Sequence, residues 1–522
     1  MKVLCVSLLF LFINGASSEL FLQTRLSSLD PLSVGEHLAF YELYPQTSEG
    51  KAALKHAWRL LSRETIAPEE ISLELPKVDI HPMIFLLTRQ TLQKPEKLSQ
   101  EQLNVIEQLS ESLANRSLKG HHVWSREELR ALPSQEIDLS RGLLIEQFDE
   151  NKEEIAQYEA TLDLMALQIL ARLSRTPSPE DSIREINRFI FQEMEFRFPP
   201  HSLHAKEIDL YTFLPSVMDH REGVCLGVSI LYLSLAQRLG LPLEIVTPPG
   251  HIYLRYRQGI KVVNIETTSR GIHLPSEIYL GVDTRWVPQR NIREVIALNF
   301  FNQASVCWSQ KDYQQAVKCY EKAAFYMPKD PLLNFFLGLN YLFIDKKKEA
   351  HELLSPLRGY TFEWNISQET IPDDYFQNQV DVEGIQAIFL PIDEKRDSIL
   401  QKQTILQGVA QKYPLFRAGL LQLAVTWLQL GRYLEAEEIL ERYHQIDPNH
   451  SVVEYYLSII SIQKLDYRKA WYHMKNTEKL LKARDHCCKA LSDLKNQLLQ
   501  SSPDESLEWS DEMGKEVVWT NR

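Results

Sequence analysis

The sequence predicts an α+β fold: a helical N-terminal region, then a core in which a helix packs on an antiparallel sheet, and finally an all-α solenoid. Three observations support this. Apolar residues recur at intervals of three and four through the first third of the chain, a strand-turn-strand pattern follows an apolar helix near the middle, and a spacing of 34 residues recurs in the second half. With 522 residues, of which 44% are hydrophobic and 24% charged, the chain is long enough for about three domains.

The predicted domain boundaries follow changes in these patterns. Between the N-terminal helices and the core, Ser178 reads as a helix N-cap and Pro179 as the first helical residue. We divide the chain into a signal peptide, a helical N-terminal domain, the core, the repeats and an acidic tail: residues 1–18, 19–176, 177–295, 296–485 and 486–522. The repeat units lie near residues 297–330, 331–357, 417–450 and 451–484, with an interruption at 358–416.

Charge excludes one class of partner. The formal net charge is -13, and the sequence has no run of five or more lysine or arginine residues. An acidic protein of this kind repels phosphate backbones. We therefore expect no nucleic-acid partner.

The N-terminus has the pattern of a signal peptide. Lys2 precedes an apolar run, Val3–Ile13, and the small residues Ala16, Ser17 and Ser18 follow it. As a helix this run would cover roughly half of a bilayer's hydrocarbon core, and no later run reaches eighteen apolar residues. We expect an exported protein, periplasmic or secreted, with no transmembrane segment in the mature chain. The alternative is a cytoplasmic protein with a buried N-terminal strand.

The region before the core is predicted to be helical. Ser99 with Gln102, and Ser125 with Glu128, form capping-box patterns that begin two of its helices. Helical periodicity is clearest at residues 52–61, 103–113 and 155–173. The pattern leaves two roles open, because these helices either cover one wall of a functional site or form a docking surface of their own.

A repeat of 34 residues follows residue 296. The recurring positions are Ala304, Cys307, Ala316 and Tyr320 with Gly338, Tyr341, Ala350 and Leu354, and Ala424, Trp427, Ala436 and Leu440 with Ser458, Ser461, Ala470 and Met474. Small residues let paired helices approach closely, and the pattern resembles tetratricopeptide (TPR) repeats, whose groove would take a protein or peptide partner. The interruption contains a helical stretch, Asp397–Gln411, and is either a degenerate unit or an inserted loop.

Cys225 is the candidate nucleophile. It follows a turn and begins an apolar helix, Cys225–Leu239, which Gly240 and Pro242 end. The unpaired N–H groups and the dipole of a helix N-terminus stabilise a thiolate, and the same N–H groups can hold an oxyanion. Alone, such a cysteine is more often a small buried apolar residue, so the assignment needs further groups.

A predicted hairpin brings His251 and Glu266 together. The sequence between them reads as two strands around a two-residue turn at Gln258-Gly259. This turn would place His251 directly opposite Glu266. Opposed side chains lie close enough for the carboxylate to accept one ring N–H, which leaves the other ring nitrogen to face a thiol.

The register of this hairpin decides the assignment. The predicted turn pairs Arg257 with Ile260, whereas a shift of one residue would make Asn264 or Thr268 the partner of the histidine. Without the cysteine, the histidine and the acid would form an ordinary polar contact on the surface of a sheet.

These residues carry a resemblance to a known family. The segments Arg-Glu-Gly-Val-Cys-Leu-Gly around Cys225, Pro-Pro-Gly-His ending at His251 and Ile-Glu-Thr-Thr around Glu266 resemble the bacterial transglutaminase-like superfamily, which has a papain-type cysteine fold, in the branch that joins such a core to C-terminal TPR helices. The resemblance covers residues 178–276 and the repeats. It implies that Cys225 is the nucleophile, His251 the general base and Glu266 the orienting acid, although the superfamily more often carries Asp there. The branch also includes members without the cysteine.

The resemblance implies a cysteine hydrolase or acyltransferase that acts on amide or peptide bonds through a thioester, with hydrolysis favoured. The alternative is a catalytically inactive scaffold that binds proteins through its TPR repeats. We expect no cofactor and no metal ion. His201 and His204 could face one side of a helical turn, but no third ligand lies near them in the sequence, so we interpret them as part of a polar loop.

Overall fold

A computed structural model describes residues 15–63, 78–88, 97–199, 210–392 and 395–502. The predicted signal peptide lies almost entirely outside these ranges, and so do the His201–His204 motif and the acidic stretch after Ser502. Packing divides the chain into two units. The described residues of the first unit fall within 1–200, 210–243 and 267–271, and those of the second within 244–266 and 272–522.

The first unit is helical, and its helices begin where the local sequence predicts. Ser99 and Ser125 each form the expected capping box, and Ser178 caps a helix whose first residue is Pro179. The α-helices are α1 Gly15–Ser27, α2 Val34–Leu43, α3 Ser48–Ser62, α4 His81–Thr88, α5 Gln100–Leu109, α6 Arg126–Ala131, α7 Leu139–Gln147, α8 Lys152–Arg172, α9 Pro179–Arg188, α10 Leu214–His220 and α11 Cys225–Arg238. A π-helical turn, Phe189–Glu193, extends α9, and 3-10 turns lie at Ala114–Ser117, Lys119–His122, Ser134–Glu136 and Thr267–Ser269.

A buried ionic network joins helices of this unit. Arg238, the last residue of α11, is almost fully buried, and its Nε donates to Asp163 Oδ1 on α8 at 2.7 Å. Its Nη1 donates to Ser140 Oγ on α7 at 2.9 Å. Arg116 donates to the second oxygen of Asp163 at 2.5 Å. Charges this deep require such partners, so the network ties α11 to α7 and α8.

The helices before residue 176 therefore share a core with the cysteine-bearing helix α11. Gln237, next to Arg238, accepts the N–H of Leu139 at 2.9 Å and donates to the carbonyl oxygen of Ile137 at 3.0 Å. These two bonds clamp the start of α7 to the end of α11. Both bonds lie at the C-terminal end of α11, so the N-terminal helices support the core helix at that end.

Replacing the buried guanidinium tests this network. Arg238→Met is expected to lower the free energy of unfolding by about 3–5 kcal/mol, because the buried Asp163 carboxylate loses a charged partner. Arg257→Met is the matched control, since Arg257 is exposed and its ion pair with Glu244 contributes about 1 kcal/mol or less. Urea unfolding followed by circular dichroism measures both, and equal losses in the two variants would contradict the role of Arg238.

The second unit begins with a four-stranded sheet in which neighbouring strands are antiparallel. The strand order is β3-β2-β1-β4, and each short strand pairs with its neighbour through regular backbone hydrogen bonds. The strands are β1 Glu244–Val246, β2 Tyr253–Gln258, β3 Lys261–Ile265 and β4 Gln289–Arg290.

The predicted register of the β2–β3 hairpin is wrong by two residues. Gln258 pairs with Lys261, so the turn residues are Gly259 and Ile260, and Arg257 lies opposite Val262. Gly259 has a φ of 59°, and a glycine with positive φ at the first turn position is the pattern of a type II′ turn. A shift of two residues leaves every side chain on its predicted face, because side chains alternate along a strand with a period of two.

Paired helices of TPR type make up most of the second unit. The recurring small residues lie in the helix contacts and are buried, namely Ala304, Ala316, Gly338, Ala350, Ala424, Ala436, Ser458 and Ala470. The helices are α12 Ile292–Ser309, α13 Tyr313–Ala324, α14 Pro331–Phe343, α15 Lys347–Leu354, α16 Ile371–Phe376, α17 Val382–Ile388, α18 Arg396–Lys412, α19 Arg417–Gln429, α20 Tyr433–Ile446, α21 Ser451–Gln463, α22 Tyr467–Lys482 and α23 Lys489–Ser501, with 3-10 turns at Ser276–Tyr279 and Ser355–Leu357. Within the described ranges, every helix is too short or too polar to cross a lipid bilayer.

Two segments between and after the repeats are more regular than the sequence suggests. The described part of the interruption holds three helices, and the longest, α18, buries Leu406 in the core that also contains Leu420 of α19. This favours a degenerate unit over an inserted loop. At the C-terminal end, α23 lies in the first half of the predicted acidic tail and buries Leu491, Leu494 and Leu498, so the packed structure continues to about residue 501.

The small positions of the repeats can be tested with one methyl group. A Cβ at Gly338 would lie 2.8 Å from Leu354 Cγ, and Leu354 is itself fully buried, so Gly338→Ala should lower the free energy of unfolding by about 1–3 kcal/mol. Gly408, which lies in helix α18, is the control, because a Cβ added there would have no neighbouring heavy atom within 4 Å. Gly408→Ala should raise stability by about 0.5–1 kcal/mol. Two changes of the same sign in thermal unfolding would contradict this account.

Candidate functional site

Cys225 begins helix α11, as the sequence predicts. The preceding residue, Val224, is the N-cap in extended conformation, and its hydrocarbon side chain offers no acceptor to the first-turn N–H groups. Cys225 itself is half-buried and carries a free thiol. The thiol therefore lies at the positive end of a helix dipole, in a place that a small reactant can reach.

Backbone contacts fix the turn that leads into Cys225. The N–H of Val224 donates to the carbonyl oxygen of Tyr211 at 2.9 Å, and the N–H of Gly223 donates to that of Arg197 at 3.1 Å. Gly227, two residues after the cysteine, packs so closely that a Cβ there would lie 2.2 Å from Tyr211 O. The glycine in Cys-Leu-Gly is thus required for the close approach of α11 to this loop.

Thr267 supports the same end of the helix. Its hydroxyl lies 3.5 Å from the carbonyl oxygen of Cys225 and 3.1 Å from Ser229 Oγ, one turn further along α11. Thr267 and Ser229 are both buried. The side chain therefore links the first turn of α11 to the short 3-10 turn Thr267–Ser269.

His251 and Glu266 are in contact, as predicted. His251 Nε2 lies 2.7 Å from Glu266 Oε2, and the side chains are 23% and 4% exposed. In the observed register Leu254 pairs with Ile265, so the next position, Glu266, lies across from Tyr253. His251, two residues before Tyr253, therefore reaches the carboxylate as a diagonal neighbour. The methylene that Glu has beyond Asp extends this reach. Because Nε2 faces the carboxylate, Nδ1 is the ring nitrogen on the other side.

Tyr279 is a member of the site that the sequence analysis missed. Its hydroxyl donates to Glu266 Oε2, the oxygen that also contacts His251. Its ring stacks on His251 and on Tyr253, with centroids 5.5 Å and 4.8 Å apart. Tyr279 lies in a 3-10 turn beyond the hairpin, and neither periodicity nor spacing marks it in the sequence. Only the folded loop brings it to the acid.

The alternative partner Asn264 has another role. Its side-chain oxygen accepts from Arg255 Nε at 2.9 Å, and its Nδ2 donates to the carbonyl oxygen of Leu274 and to Ser276 Oγ. These bonds hold the loop after β3 against the sheet. Glu266 is thus the acid beside His251.

The predicted residues fall in different units. Cys225 belongs to the first unit, whereas His251, Glu266 and Tyr279 belong to the second. The structure of the second unit confirms that His251 and Glu266 meet. The encounter of the thiol with the imidazole stays a prediction.

Comparison with known proteins identifies the central part of the chain. The family model described as the transglutaminase-like superfamily matches residues 156–317, a range that includes Cys225, His251, Glu266 and Tyr279. It starts inside α8 and ends inside α13, so it begins earlier and ends later than the predicted core.

Curated relatives match over a short segment. F-box only protein 21 of Mus musculus is 29% identical over 85 residues, and that of Homo sapiens is 28% identical over 85 residues. Each match covers 16% of this chain and 12% of the relative, so the chain spans about an eighth of the length of these relatives.

Two solved structures are weakly similar to this chain. TTC0263, a TPR protein of Thermus thermophilus, is 18% identical, covering 39% of this chain and 98% of that one, with a TM-score of 0.20. Yeast Tom70 is 10% identical, covering 94% of this chain and 84% of that one, with a TM-score of 0.21.

The hydroxyl of Tyr279 provides a test of the acid's environment. Tyr279→Phe keeps the stacked ring but removes a donor from the buried Glu266, so the free energy of unfolding should fall by about 1–3 kcal/mol. The exposed Tyr433 serves as control, and Tyr433→Phe should change stability by less than about 0.5 kcal/mol. If urea unfolding gives the same value for both variants, the Tyr279 hydroxyl does not support Glu266.

Proposed function

We propose that the transglutaminase-like domain, which residues 156–317 form, is a cysteine-dependent acyl-transfer domain that acts on amide or peptide bonds. Cys225 and His251 are its catalytic residues, Glu266 is a positioning residue, and hydrolysis is the favoured outcome. The 2.7 Å contact between His251 Nε2 and Glu266 Oε2 supports the proposal, because with Nε2 on the carboxylate it is Nδ1 that would act on the thiol.

Acylation follows from these roles. His251 takes the proton of the Cys225 thiol, and the thiolate attacks the carbonyl carbon of the substrate. Negative charge then develops on the carbonyl oxygen, where the N–H groups of the first turn of α11 can stabilise it. The C–N bond breaks as His251 gives its proton to the leaving amine. A thioester between Cys225 and the substrate's acyl group remains.

Deacylation uses the same histidine. His251 takes a proton from water, the resulting hydroxide attacks the thioester carbonyl, and the proton returns to the departing thiolate of Cys225. An amine in place of water would give transamidation. Glu266 stabilises the imidazolium and holds its orientation, and Tyr279 holds Glu266.

Chain connectivity supports the pairing of Cys225 with the His251–Glu266 pair. Thr267 follows Glu266 directly in the sequence, and its hydroxyl contacts the carbonyl oxygen of Cys225 and the hydroxyl of Ser229. A single peptide bond thus separates the orienting acid from a residue that supports the first turn of the nucleophile's helix.

The TPR helices would hold the substrate protein or peptide, since stacked helix pairs of this type form extended binding surfaces. The N-terminal pattern supports a place of action outside the cytoplasm. Without an active thiol, the same chain would act as a binding scaffold, and the test below separates the two functions.

The reactivity of Cys225 is the decisive measurement. Iodoacetamide labelling at pH 6, resolved by site with mass spectrometry, should modify Cys225 at least tenfold faster than the exposed Cys487. An ordinary thiol with a pKa of about 8.5 is only about 0.3% ionised at this pH. Burial, together with the neighbouring Cys307, raises the pKa of Cys319 to about 12, so Cys319 should stay unlabelled and report that the chain is folded.

Variants identify the source of the reactivity. His251→Ala should reduce the labelling rate of Cys225 to that of Cys487, whereas His273→Ala should leave it unchanged. His273 is an exposed imidazole of the same unit that accepts the backbone N–H of Asn264. Labelling of Cys225 at the rate of Cys487 in the folded, reduced parent protein would overturn the enzymatic proposal and favour the scaffold.

A further inference from the structure

His444, Glu454 and His473 bring two imidazoles and a carboxylate together within the TPR helices. They come from three consecutive helices, α20, α21 and α22. His444 Nδ1 lies 2.5 Å from Glu454 Oε1, and His473 Nδ1 lies 3.0 Å from Glu454 Oε2. All the candidate ligand atoms lie within 4.8 Å of one another. In the sequence the two histidines lie 10 and 19 residues from Glu454, so spacing alone does not mark them as a site.

The cluster is buried but open on one side. The side chains of Glu454 and His473 are 0% and 3% exposed, whereas that of His444 is 19% exposed. A carboxylate that is wholly removed from water requires strong partners, and here two imidazoles meet it. The exposed edge of His444 provides a route by which a small ion and a water molecule can enter.

We propose that His444, Glu454 and His473 bind a divalent transition metal ion, with zinc as the expected ion. Two histidines and one glutamate, with a water molecule in the fourth position, are a known zinc ligand set. Ligand atoms at about 2.0–2.2 Å from a tetrahedral ion lie about 3.3–3.6 Å from one another. The two pairs here are shorter, at 3.0 Å for His473 Nδ1 with Glu454 Oε2 and 2.5 Å for His444 Nδ1 with Glu454 Oε1, so a bound ion would move the imidazoles slightly apart from the carboxylate. Both imidazoles present the same ring atom to the carboxylate.

The surroundings of the cluster suit a metal ion. Asn476 Nδ2 donates to Glu454 Oε2 at 3.0 Å, which is the kind of outer contact that orients a ligand carboxylate. A neighbouring cation, Lys469, is paired with Glu441 at 2.5 Å and with Glu437 at 3.3 Å. Its charge is therefore balanced locally and opposes a bound cation only weakly.

A second cluster of possible metal ligands lies close to arginine side chains, unlike the cluster around Glu454. His121, Asp138 and Glu159 also lie close together and are fully buried in the first unit. There, however, Arg141 Nε donates to Glu159 Oε1 at 2.7 Å, and the charge of Arg238 acts on Asp138. Guanidinium groups already neutralise these carboxylates. The histidine pair around Glu454 has the more suitable environment for a metal ion.

Metal binding would fasten the three helices α20–α22 to one another. A ligand that binds only the folded state stabilises that state by mass action, so zinc should raise the temperature of unfolding. The ion would stabilise the C-terminal part of the helix array, and its binding is independent of the chemistry proposed for Cys225.

The test uses the full chain after removal of metal by a chelator. Titration with zinc chloride, followed by calorimetry and elemental analysis, should give one tightly bound ion per chain. Cobalt(II) in the same site should show d–d absorption without a thiolate-to-cobalt charge-transfer band, since the ligands are nitrogen and oxygen. No bound ion, or a thiolate band that reveals cysteine ligands, would overturn the proposal.

Variants assign the ligands. His444→Gln should weaken zinc binding at least tenfold, and because His444 is partly exposed this variant should still fold, as circular dichroism can verify. Asn476→Ala should weaken binding by about tenfold through loss of the outer contact. His351→Gln, at an exposed histidine of α15, is the matched control and should bind zinc as the parent does. Unchanged affinity in His444→Gln, or equal loss in His351→Gln, would contradict the assignment.

Discussion

Arg238 carries a charge into the interior of the first unit, and the arrangement of the helices around it depends on its neutralisation. Asp163 and Ser140 meet its guanidinium from α8 and α7. Helix α11 cannot slide along these helices without separating the buried ion pair, which would cost several kcal/mol. Cys225 is the first residue of the same 14-residue helix. The ion pair at its last residue therefore fixes the position of the thiol along the helix axis relative to α7 and α8.

Three buried carboxylates, Asp163, Glu266 and Glu454, meet the same physical requirement but serve different purposes. Each is removed from water and must therefore find donors or cations. Asp163 bridges two guanidinium groups and anchors a helix. Glu266 accepts from His251 and Tyr279 and thereby orients an imidazole. Glu454 gathers two imidazoles and an amide from neighbouring helices. Because burial forces each carboxylate to find partners, the resulting contacts stabilise the fold at Asp163 and orient possible reactive groups at Glu266 and Glu454.

The sequence predicts features whose cause is local. Ser99 forms its capping box because the acceptor and donor are three residues apart, and the 34-residue spacing places small residues where helices meet. The sequence-based prediction fails at one local turn and at contacts between distant segments. The turn at Gly259 shifts the hairpin register by two residues, and Tyr279 reaches Glu266 only through a loop. Arg238 and Asp163 lie 75 residues apart, so no local pattern shows that they pair. The contact of His251 with Glu266 was predictable because the side-chain face survives an even shift.

The short segment Thr267–Gly271 belongs to the first unit, although the chain on either side of it belongs to the second. During synthesis, the helices of the first unit leave the ribosome early, but the residue that joins Cys225 to Ser229 emerges only after the hairpin. Completion of the first unit must therefore wait for part of the second, and no single cut in the chain releases either unit whole. A single crossover within the chain therefore cannot exchange one unit for another intact.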